Sequence, residues 1–312
     1  MVRKTIDRRL ASRVRRVCRR VLTIQMMILD VPALAAPVAI IPPPVLTPPL
    51  EIAADQGASG NGLARDQGLV VVGTALMRNY EGANRYNLIP IAGATLRRHG
   101  HTLIWNGNSL GLDLVPEYDD QSFKFIVAPF VDLNLDRAVS ALDPVVARLA
   151  KPKLAVEGGA VLGLVRTGII TSKYDTLTVQ IQAAHDLGAV HRSFVVTPSI
   201  GYVTPLSKAA LVTVLASFDV AGSGYARTYF GINRAAQAAS GLPLFQPRGG
   251  IKSANLVLGG AVSLRGDLRR GFALGVRLNY ERLLGDFAGS PLVAMRGNPD
   301  QLSGTLGLGY IF

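Results

Sequence analysis

Histidine and serine side chains are the first candidates for chemistry in this sequence. His191 and Ser193 lie two residues apart, so on a β-strand they would share one face. Nucleophilic catalysis also needs a third group that orients the base and donors for the developing charge, and the sequence assigns neither. His99 and His101 have the same spacing at a turn, but a metal site needs more ligands, and no cysteine or carboxylate cluster is near. We therefore predict no catalytic residue, no metal site and no cofactor.

Glycine spacings do not predict a phosphate site either. Gly158 and Gly159, and the set Gly304, Gly307 and Gly309, lie inside strand-like patterns. A phosphate-binding loop leads into a helix, and no helix pattern follows these glycines. Small side chains that point into a narrow barrel explain them better.

The composition describes an apolar and basic chain. Of 312 residues, 49% are hydrophobic, 17% are charged and 33 are glycines. This excludes a disordered protein, and no apolar run reaches the roughly 18 to 20 residues that a membrane helix needs. The net charge is +12, but nine of the 33 Lys and Arg residues lie within residues 1–35. Because the other bases are scattered and are not interleaved with aromatic residues, we predict no nucleic-acid partner.

Residues 1–35 have the pattern of a secretory signal peptide. A basic start precedes the apolar stretch 21–29, and cleavage is expected after the small residue Ala35. A basic amphipathic helix that is not cleaved remains the alternative. Residues 36–68, rich in Pro and then in Gly, are predicted to form an extended tether. Cys18 lies in the signal, so the mature chain would have no cysteine, which is compatible with an oxidising compartment.

From residue 69 to the end, apolar and polar residues alternate with period two, which is typical of strands with two different faces. Leu274 and Leu278, for example, alternate with Gly275 and Arg277. The candidate strands are 69–77, 87–98, 102–115, 122–135, 153–166, 176–183, 193–202, 209–220, 253–265, 271–281 and 301–312.

Many of these segments are long enough for a tilted strand to cross a bilayer. In lipid every backbone N–H and C=O must be paired within the protein, so the sheet must close on itself. We therefore predict an all-β fold, a closed antiparallel transmembrane β-barrel of ten or twelve strands over residues 69–312, with apolar side chains toward lipid. The terminal Tyr310 and Phe312 are similar to the C-terminal assembly signal of bacterial outer-membrane barrels. A soluble sandwich or lipocalin-like barrel, with the faces reversed, is the alternative.

The strand number follows from parity. If both termini lie in the periplasm, the number is even, so one of the eleven candidates is false or one strand is missed. Counting back from the C-terminus makes 69–77 the odd strand. The long loops 221–250 and 285–300 should face outside and the tight turns inside.

Several charged residues fall on the polar faces of these strands and would meet across the lumen. We favour a salt-bridged interior that holds the barrel shut, and a charged constriction that guides ions is the alternative. The residues are Asp113, Lys124, Asp132, Glu157, Arg166, Arg277 and Glu281.

Three segments contain motifs that occur together in one known family. Tyr80–Tyr86 reads YEGANRY and precedes Pro90. Thr228–Ile232 reads TYFGI and is followed by SGLP at Ser240–Pro243. Leu283–Val293 reads LLGDFAGSPLV. In order and spacing these segments resemble the MipA/OmpV family of outer-membrane proteins, the MltA-interacting proteins, over residues 69–312. The departures from the family pattern are Ala83, Phe287 and Gly289.

The resemblance implies a barrel in the outer membrane of a Gram-negative bacterium, surrounded by outer-membrane lipid and inserted by the outer-membrane assembly machinery. Some relatives are described as a scaffold that joins a murein lytic transglycosylase to a murein synthase, and others as pore-like or adhesive. We expect a non-enzymatic scaffold of this kind. A small pore or osmotic channel, an adhesin, and an outer-membrane hydrolase that uses His191 and Ser193 are the alternatives.

The resemblance also selects signature residues as candidates for partner contacts. The glycines Gly82, Gly231 and Gly241 suit turns with positive φ, the prolines stiffen loops, and the tyrosines are candidates for interfacial anchors or loop packing. The complete set is Tyr80, Glu81, Gly82, Tyr86, Tyr229, Phe230, Gly231, Ser240, Gly241, Leu242, Pro243, Gly285, Asp286, Ser290 and Pro291.

Overall fold

The computed structural model describes residues 63–118, 122–138 and 141–312. The predicted signal peptide, Cys18 and residues 36–62 of the predicted tether lie outside the described residues.

Twelve antiparallel strands form a closed barrel, in which each strand pairs with its neighbours in sequence and the last strand pairs with the first. The prediction of a closed barrel with ten or twelve strands is confirmed. The strands are β1 Gln67–Arg78, β2 Tyr86–Arg98, β3 His101–Trp105, β4 Ser109–Asp113, β5 Phe123–Asn134, β6 Ala155–Thr167, β7 Thr176–Asp186, β8 Phe194–Ser207, β9 Ala210–Ala221, β10 Gly250–Ser263, β11 Gly271–Leu283 and β12 Asp300–Ile311.

The twelfth strand comes from the predicted segment 102–115, which is two strands. Asn106, Gly107 and Asn108 make a tight turn between β3 and β4, closed by the Asn106 N–H donating to the Ser109 carbonyl at 2.9 Å. Gly107 has φ +74°, a conformation that suits glycine in a hairpin turn. The expectation that 69–77 is the odd strand was therefore wrong, because β1 pairs with both β2 and β12.

The two faces of the strands are oriented as the alternation predicted. Leu274 and Leu306 on the outer face are 40% and 51% exposed, as the lipid-facing side of a membrane barrel requires. Gln180 and Ser199, on the inner face, are buried. A soluble barrel would bury the leucines, so this distribution excludes the reversed arrangement.

The seam between β1 and β12 is closed at the C-terminus. Phe312 and Gly68 exchange two backbone hydrogen bonds, of 2.9 and 2.7 Å. The Phe312 ring covers Gly68 so closely that a Cβ there would overlap it. Tyr310 stacks on Phe312, with ring centroids 6.2 Å apart, and packs at a tilt against Phe272 at 4.9 Å. Aromatic side chains therefore gather at the end of the barrel that carries the chain terminus.

The loops divide the barrel into two ends. Tight turns such as 99–100 and 208–209 lie at the end that holds the C-terminus, which is the periplasmic end of such barrels. The connections 135–154, 222–249 and 284–299 lie at the extracellular end and contain short helical segments. Every helix in the described part of the chain falls short of the length and apolarity needed to cross a membrane. The segments are a 3₁₀ turn at Val146–Arg148, α1 Ser223–Phe230, α2 Arg234–Ser240, α3 Gly285–Gly289 and α4 Pro291–Ala294.

Candidate functional site

The three signature segments, although far apart in sequence, pack together at the extracellular end of the lumen. We call this assembly the signature plug: residues 80–86, 222–243 and 283–297. Two apolar clusters hold it. The first contains Val195, Ala221, Tyr225, Ala226, Tyr229, Phe230, Leu283, Phe287 and Val293. The second contains Tyr80, Ala83, Val146, Leu149, Ile232, Leu242 and Leu292.

Hydrogen bonds tie the parts of the plug to one another and to the flanking residues Arg248 and Asn298. The Ser290 hydroxyl donates to the Phe230 carbonyl at 2.7 Å and so joins α4 to α1. The Asp286 carboxylate accepts from the backbone N–H of Arg248 at 2.8 Å. The Asn298 N–H donates to the Gly82 carbonyl at 2.9 Å. The plug is therefore one connected body rather than three separate loops.

Two of the three signature glycines have the backbone conformation that the sequence predicted. Gly82 has φ +87° and Gly241 has φ +76°, the latter at the end of α2. Gly231 was predicted wrongly, because its φ is −78°. A Cβ at Gly231 would instead approach the carbonyl of Arg227 too closely, so close packing requires glycine there.

The plug buries most of the signature side chains and leaves few of them at the surface. Tyr80 and Tyr229 are 2% and 1% exposed and act as loop-packing residues in this conformation. Tyr86 and Pro243 are exposed at the rim. Buried signature residues are Tyr80, Gly82, Tyr229, Phe230, Ser240, Leu242, Ser290 and Pro291.

A layer of buried charges joins the plug to the inner wall of the barrel. The Glu81 carboxylate accepts from Lys252 Nζ at 2.5 Å and from the Tyr225 hydroxyl at 2.8 Å. Lys252 Nζ also lies 3.4 Å from an Asp219 oxygen. These contacts fasten a signature residue to strands β9 and β10. We call the group of Glu81, Asp219, Tyr225 and Lys252 the charged layer.

A second ion pair extends this layer. Arg78 of β1 pairs with Glu281 of β11. Arg137, which follows β5, is buried and donates to the carbonyl of Tyr229 at 2.8 Å. Sequence analysis identified Glu81 and Glu281 but missed Arg78, Arg137 and Lys252. Lys252 reaches the inner face through a register shift between Ile251 and Ser253, which a strict period of two does not anticipate.

His191 has a structural position in this region. Its Nε2 lies 3.1 Å from a Glu157 oxygen, and its side chain is fully buried. Its ring lies 5.3 Å from that of Tyr225. The backbone N–H of His191 donates to Asp186 at 2.6 Å. Ser193 is also buried, but no hydrogen bond joins it to His191. The structure therefore does not bring together the pair that a hydrolase would need.

Burial governs the protonation of the groups in the plug and its loops. Burial, reinforced by the nearby Glu81, raises the pKa of Asp136 above its ordinary value. Burial likewise raises the pKa of Tyr229 far above its ordinary value. Burial lowers the pKa of Arg137, although the neighbouring Asp136 opposes this shift.

A cavity of about 50 Å³ lies between the plug and the inner wall. It has room for one to three water molecules. Four side-chain atoms of its lining are buried and have no hydrogen-bond partner among the described residues: Arg78 Nη1, Asn108 Oδ1, Asp136 Oδ2 and Gln182 Oε1. The remaining lining residues are Met77, Glu81, Asp132, Leu133, Asn134, Glu157, Ala184, Val195, Thr197, Tyr225, Lys252 and Ser303.

The predicted lumen charges divide into two groups instead of one. In the periplasmic half, Lys124 lies 3.1 Å from Asp113 and 3.4 Å from Glu117. Glu157 and Glu281 belong to the extracellular group described above, and Asp132 accepts from Asn108 at 2.9 Å. The prediction that Arg166 faces the lumen was wrong, because the alternation of β6 puts it on the outer face with Leu162 and Leu164, and it is exposed there. Arg277 is on the inner face and forms no ion pair with any described residue. Within residues 63–118, 122–138 and 141–312, no cluster of three His, Cys, Asp or Glu side chains has the arrangement of a metal site.

A closed twelve-strand barrel with a lipid-facing apolar surface, long loops at one end and a C-terminal aromatic seam is an outer-membrane β-barrel. The family description MltA-interacting protein MipA matches residues 70–312. The chain therefore belongs to the MipA family, and its place is the bacterial outer membrane.

Solved structures of outer-membrane proteins align with most of the chain. An outer-membrane channel from Pseudomonas putida F1 aligns with a TM-score of 0.42 and 11% identity, over 82% of this chain and 99% of that one. OmpT of Vibrio cholerae aligns with a TM-score of 0.34 and 8% identity, over 82% and 99%. The channel DcaP of Acinetobacter baumannii aligns with a TM-score of 0.32 and 10% identity, over 81% and 99%. A search of curated protein sequences finds no match.

Proposed function

We propose that this protein is a non-enzymatic scaffold that holds murein enzymes at the inner surface of the outer membrane. The observation that supports the proposal is the signature plug, which packs in the extracellular end of the lumen with two apolar clusters and a charged layer. A barrel whose lumen is filled at one end suits a rigid platform better than a passage. The family name, MltA-interacting protein, supports a murein lytic transglycosylase as one partner. A murein synthase is the second partner that we propose.

Murein lies in the periplasm, so the partner surface should lie among the periplasmic turns. The turn 168–175 between β6 and β7 is held by a dense set of hydrogen bonds. The Asp175 carboxylate accepts backbone hydrogen bonds from Ile169 at 2.7 Å and Ile170 at 2.9 Å, and one from the Tyr202 hydroxyl at 2.7 Å. These bonds fix the turn while Ile170 remains 65% exposed. A rigid turn that presents an apolar side chain suits a protein partner.

The test is capture of murein enzymes by cross-linking in intact envelopes, with matched variants on the two sides of the membrane. Ile170→Glu alters the periplasmic turn. Leu187→Glu is the control, because Leu187 is equally exposed, at 65%, but lies in the extracellular loop between β7 and β8. We expect Ile170→Glu to reduce the recovered transglycosylase and synthase at least tenfold and Leu187→Glu to leave them unchanged.

Wild-type envelopes that yield neither murein enzyme would refute the scaffold. If both variants retain the enzymes, the binding surface lies on another periplasmic element. Gel mobility with and without boiling verifies that each variant is a folded barrel.

A small pore is the second candidate, and one observation favours it. Arg277 projects from the middle of β11 on the inner face and forms no ion pair with any described residue, as expected for a side chain that interacts with passing anions. Purified protein in a planar bilayer distinguishes the two functions. Discrete conductance steps whose anion preference falls in Arg277→Gln would support the pore, and a silent bilayer would support the scaffold.

We also propose the processing of the chain. Residues 1–35 are removed as a signal peptide, and a tether follows it. The barrel, whose first strand begins at Gln67 rather than at residue 69, is recognised by the assembly machinery through Tyr310 and Phe312. Mass spectrometry of the mature N-terminus tests the cleavage after Ala35. Deletion of Phe312 should lower the amount of inserted barrel without lowering the amount of exported chain.

A further inference from the structure

Part of one edge of β2 has no strand neighbour among the residues that the structure describes. β3 pairs with β2 only from Ala94 to Arg98. The backbone of Tyr86–Gly93 pairs with β1 on one side. On its other side it forms no backbone hydrogen bond with any residue that the structure describes. The reason is the early turn at 106–108, which ends the β3–β4 hairpin well below the top of β2.

The open edge carries side chains of the lipid-facing surface. Leu76 of β1 pairs with Leu88 of β2. Both leucines are on the outer face, where they are 49% and 70% exposed. Uncovered backbone is not tolerated against hydrocarbon, and within the membrane it is found only where it lines a cavity or is buried by protein.

The loop that follows β5 closes this gap from above. The Leu142 N–H donates to Asn79 Oδ1 at 2.6 Å, and Arg85 donates to the Leu142 carbonyl at 3.1 Å. The gap is thus a window in the wall, bounded by the edge of β2, the 106–108 turn, the top of β5 and this loop. We call it the lateral window.

The polar cavity beneath the plug lies directly behind the lateral window. Its lining includes Met77 and Arg78 of β1 on one side of the window, and Asn108, Leu133 and Asn134 on the other. The lining therefore spans the angular position at which β2 lacks a neighbour.

The charge of this cavity favours a cation. Its lining has four carboxylates and two cationic side chains, which leaves two negative charges when all are ionised. Both cationic residues already form ion pairs. Lys252 pairs with Glu81 and Asp219, and Arg78 pairs with Glu281. The ionisable lining residues are Arg78, Glu81, Asp132, Asp136, Glu157 and Lys252.

The buried lining atoms that have no hydrogen-bond partner favour a ligand that donates hydrogen bonds. Asp136 is 2% exposed, and its Oδ1 accepts from the Glu81 N–H at 2.9 Å while its Oδ2 has no partner. Asn108 is oriented by its Nδ2, which donates to Asp132 and to the Leu133 carbonyl at 2.9 and 3.1 Å, so the free atom is the Oδ1 acceptor. Gln182 Oε1 is the third such acceptor. The lining therefore has three acceptors without a partner and only one donor without a partner, Arg78 Nη1.

We propose that the cavity binds the primary ammonium group of an amphipathic amine, which enters through the lateral window from the outer leaflet and leaves its apolar tail against Leu88. A primary ammonium is small enough for about 50 Å³, donates three hydrogen bonds and compensates the negative charge. A quaternary ammonium carries the same charge but donates none. This property separates recognition in the cavity from general attraction of cations to an acidic surface.

Calorimetric titration of the full-length protein in phosphatidylcholine nanodiscs tests the proposal. The probes are decylammonium, decyltrimethylammonium, decanol and calcium chloride, each corrected with empty nanodiscs. We expect saturable binding of decylammonium at one site and at least tenfold weaker binding of the other three. Asp136→Asn keeps the acceptor for the Glu81 N–H and should weaken decylammonium binding at least tenfold. Asp300→Asn, at the exposed rim, is the matched control and should leave it unchanged.

Several outcomes would overturn the proposal. Equal affinity for decylammonium and decyltrimethylammonium would show charge attraction only, and displacement by millimolar calcium would indicate an inorganic cation. Absence of binding by the wild-type protein would mean that the cavity holds water alone. The route has its own test, because Ala92→Trp places a large side chain beside the window and should slow association with decylammonium at least tenfold. An unchanged rate would refute entry from the side.

Discussion

Replacement of Lys252 by Met is the sharpest test of the charged layer. Lys252 Nζ contacts Glu81 at 2.5 Å and Asp219 at 3.4 Å, and its side chain is only 4% exposed. The variant keeps most of the apolar volume of the side chain and removes the charge, so both carboxylates remain buried beside an uncharged neighbour. Loss of one partner from a buried ion pair typically costs about 3 to 5 kcal/mol.

The expected decrease corresponds to more than about a hundredfold in the unfolding equilibrium, because roughly 1.4 kcal/mol is a factor of ten. Urea unfolding in lipid vesicles measures it, with gel mobility and the fluorescence of Trp105, the only tryptophan, as independent probes. Arg282→Met is the control, since the Arg282–Asp300 pair has a good distance of 2.8 Å but is 54% and 39% exposed. Exposed ion pairs contribute little to stability, so this variant should unfold at the same urea concentration as the wild type.

A double variant identifies the mechanism. If Lys252→Met acts by leaving Glu81 unpaired, then adding Glu81→Gln should recover part of the lost stability, since the second substitution removes one of the stranded charges. Equal stabilities of Lys252→Met and Arg282→Met would refute the reasoning. So would strict additivity of the Lys252 and Glu81 substitutions.

Two further predictions concern the loops. Gly82→Ala should destabilise the barrel more than Gly266→Ala does. Both glycines have positive φ, +87° and +82°, but a Cβ at Gly82 would overlap Val293, whereas the space beside Gly266 is open. Thermal unfolding of the two variants measures the difference, and equal midpoints would contradict it. Asp175→Asn should destabilise the protein at neutral pH, because the hydrogen bonds from Tyr202 and from the backbone of residues 169–171 hold the pKa of Asp175 below its usual value against the opposing effect of burial. A lowered folded-state pKa contributes stability above the unfolded value of roughly 3.9 and loses it as pH falls through the folded value. The deficit of the variant should therefore shrink on acidification, and a constant deficit from pH 7 to pH 2 would contradict this assignment.

The barrel was predictable from sequence because its main determinant is local. The alternation of Leu274 and Leu278 with small or polar residues specifies a face within a single strand, and lipid then requires closure. The division of 102–115 into β3 and β4 was missed because the turn Asn106–Asn108 is short and lies inside a segment whose length suits a single strand. The dipeptide Asn106-Gly107, which favours a hairpin turn, was the signal that could have revealed this division.

The candidate site was less predictable because its contacts are non-local. Glu81 and Lys252 are 171 residues apart, and Glu157 and His191 are 34 residues apart. No spacing rule connects them before the strand order and register are known. The inward position of the Lys252 side chain also depends on the register shift between Ile251 and Ser253, which breaks the alternation of inward and outward residues. The family resemblance identified the segments of the plug, but not their packing.

The charged layer also constrains what the barrel can transport. A plug that opened in one molecule of a hundred would need an open state only about 2.7 kcal/mol above the closed one. Separation of Glu81 from Lys252 alone is expected to cost more than this, and movement of the plug would also expose Tyr80 and Tyr229. The closed state should therefore dominate, which supports the scaffold over the pore. Lys252→Met removes the main electrostatic restraint, so it should increase the frequency of conductance events in a planar bilayer, whereas Arg282→Met should not. A wild-type channel that is already open and is unaffected by Lys252→Met would show that ions bypass the plug.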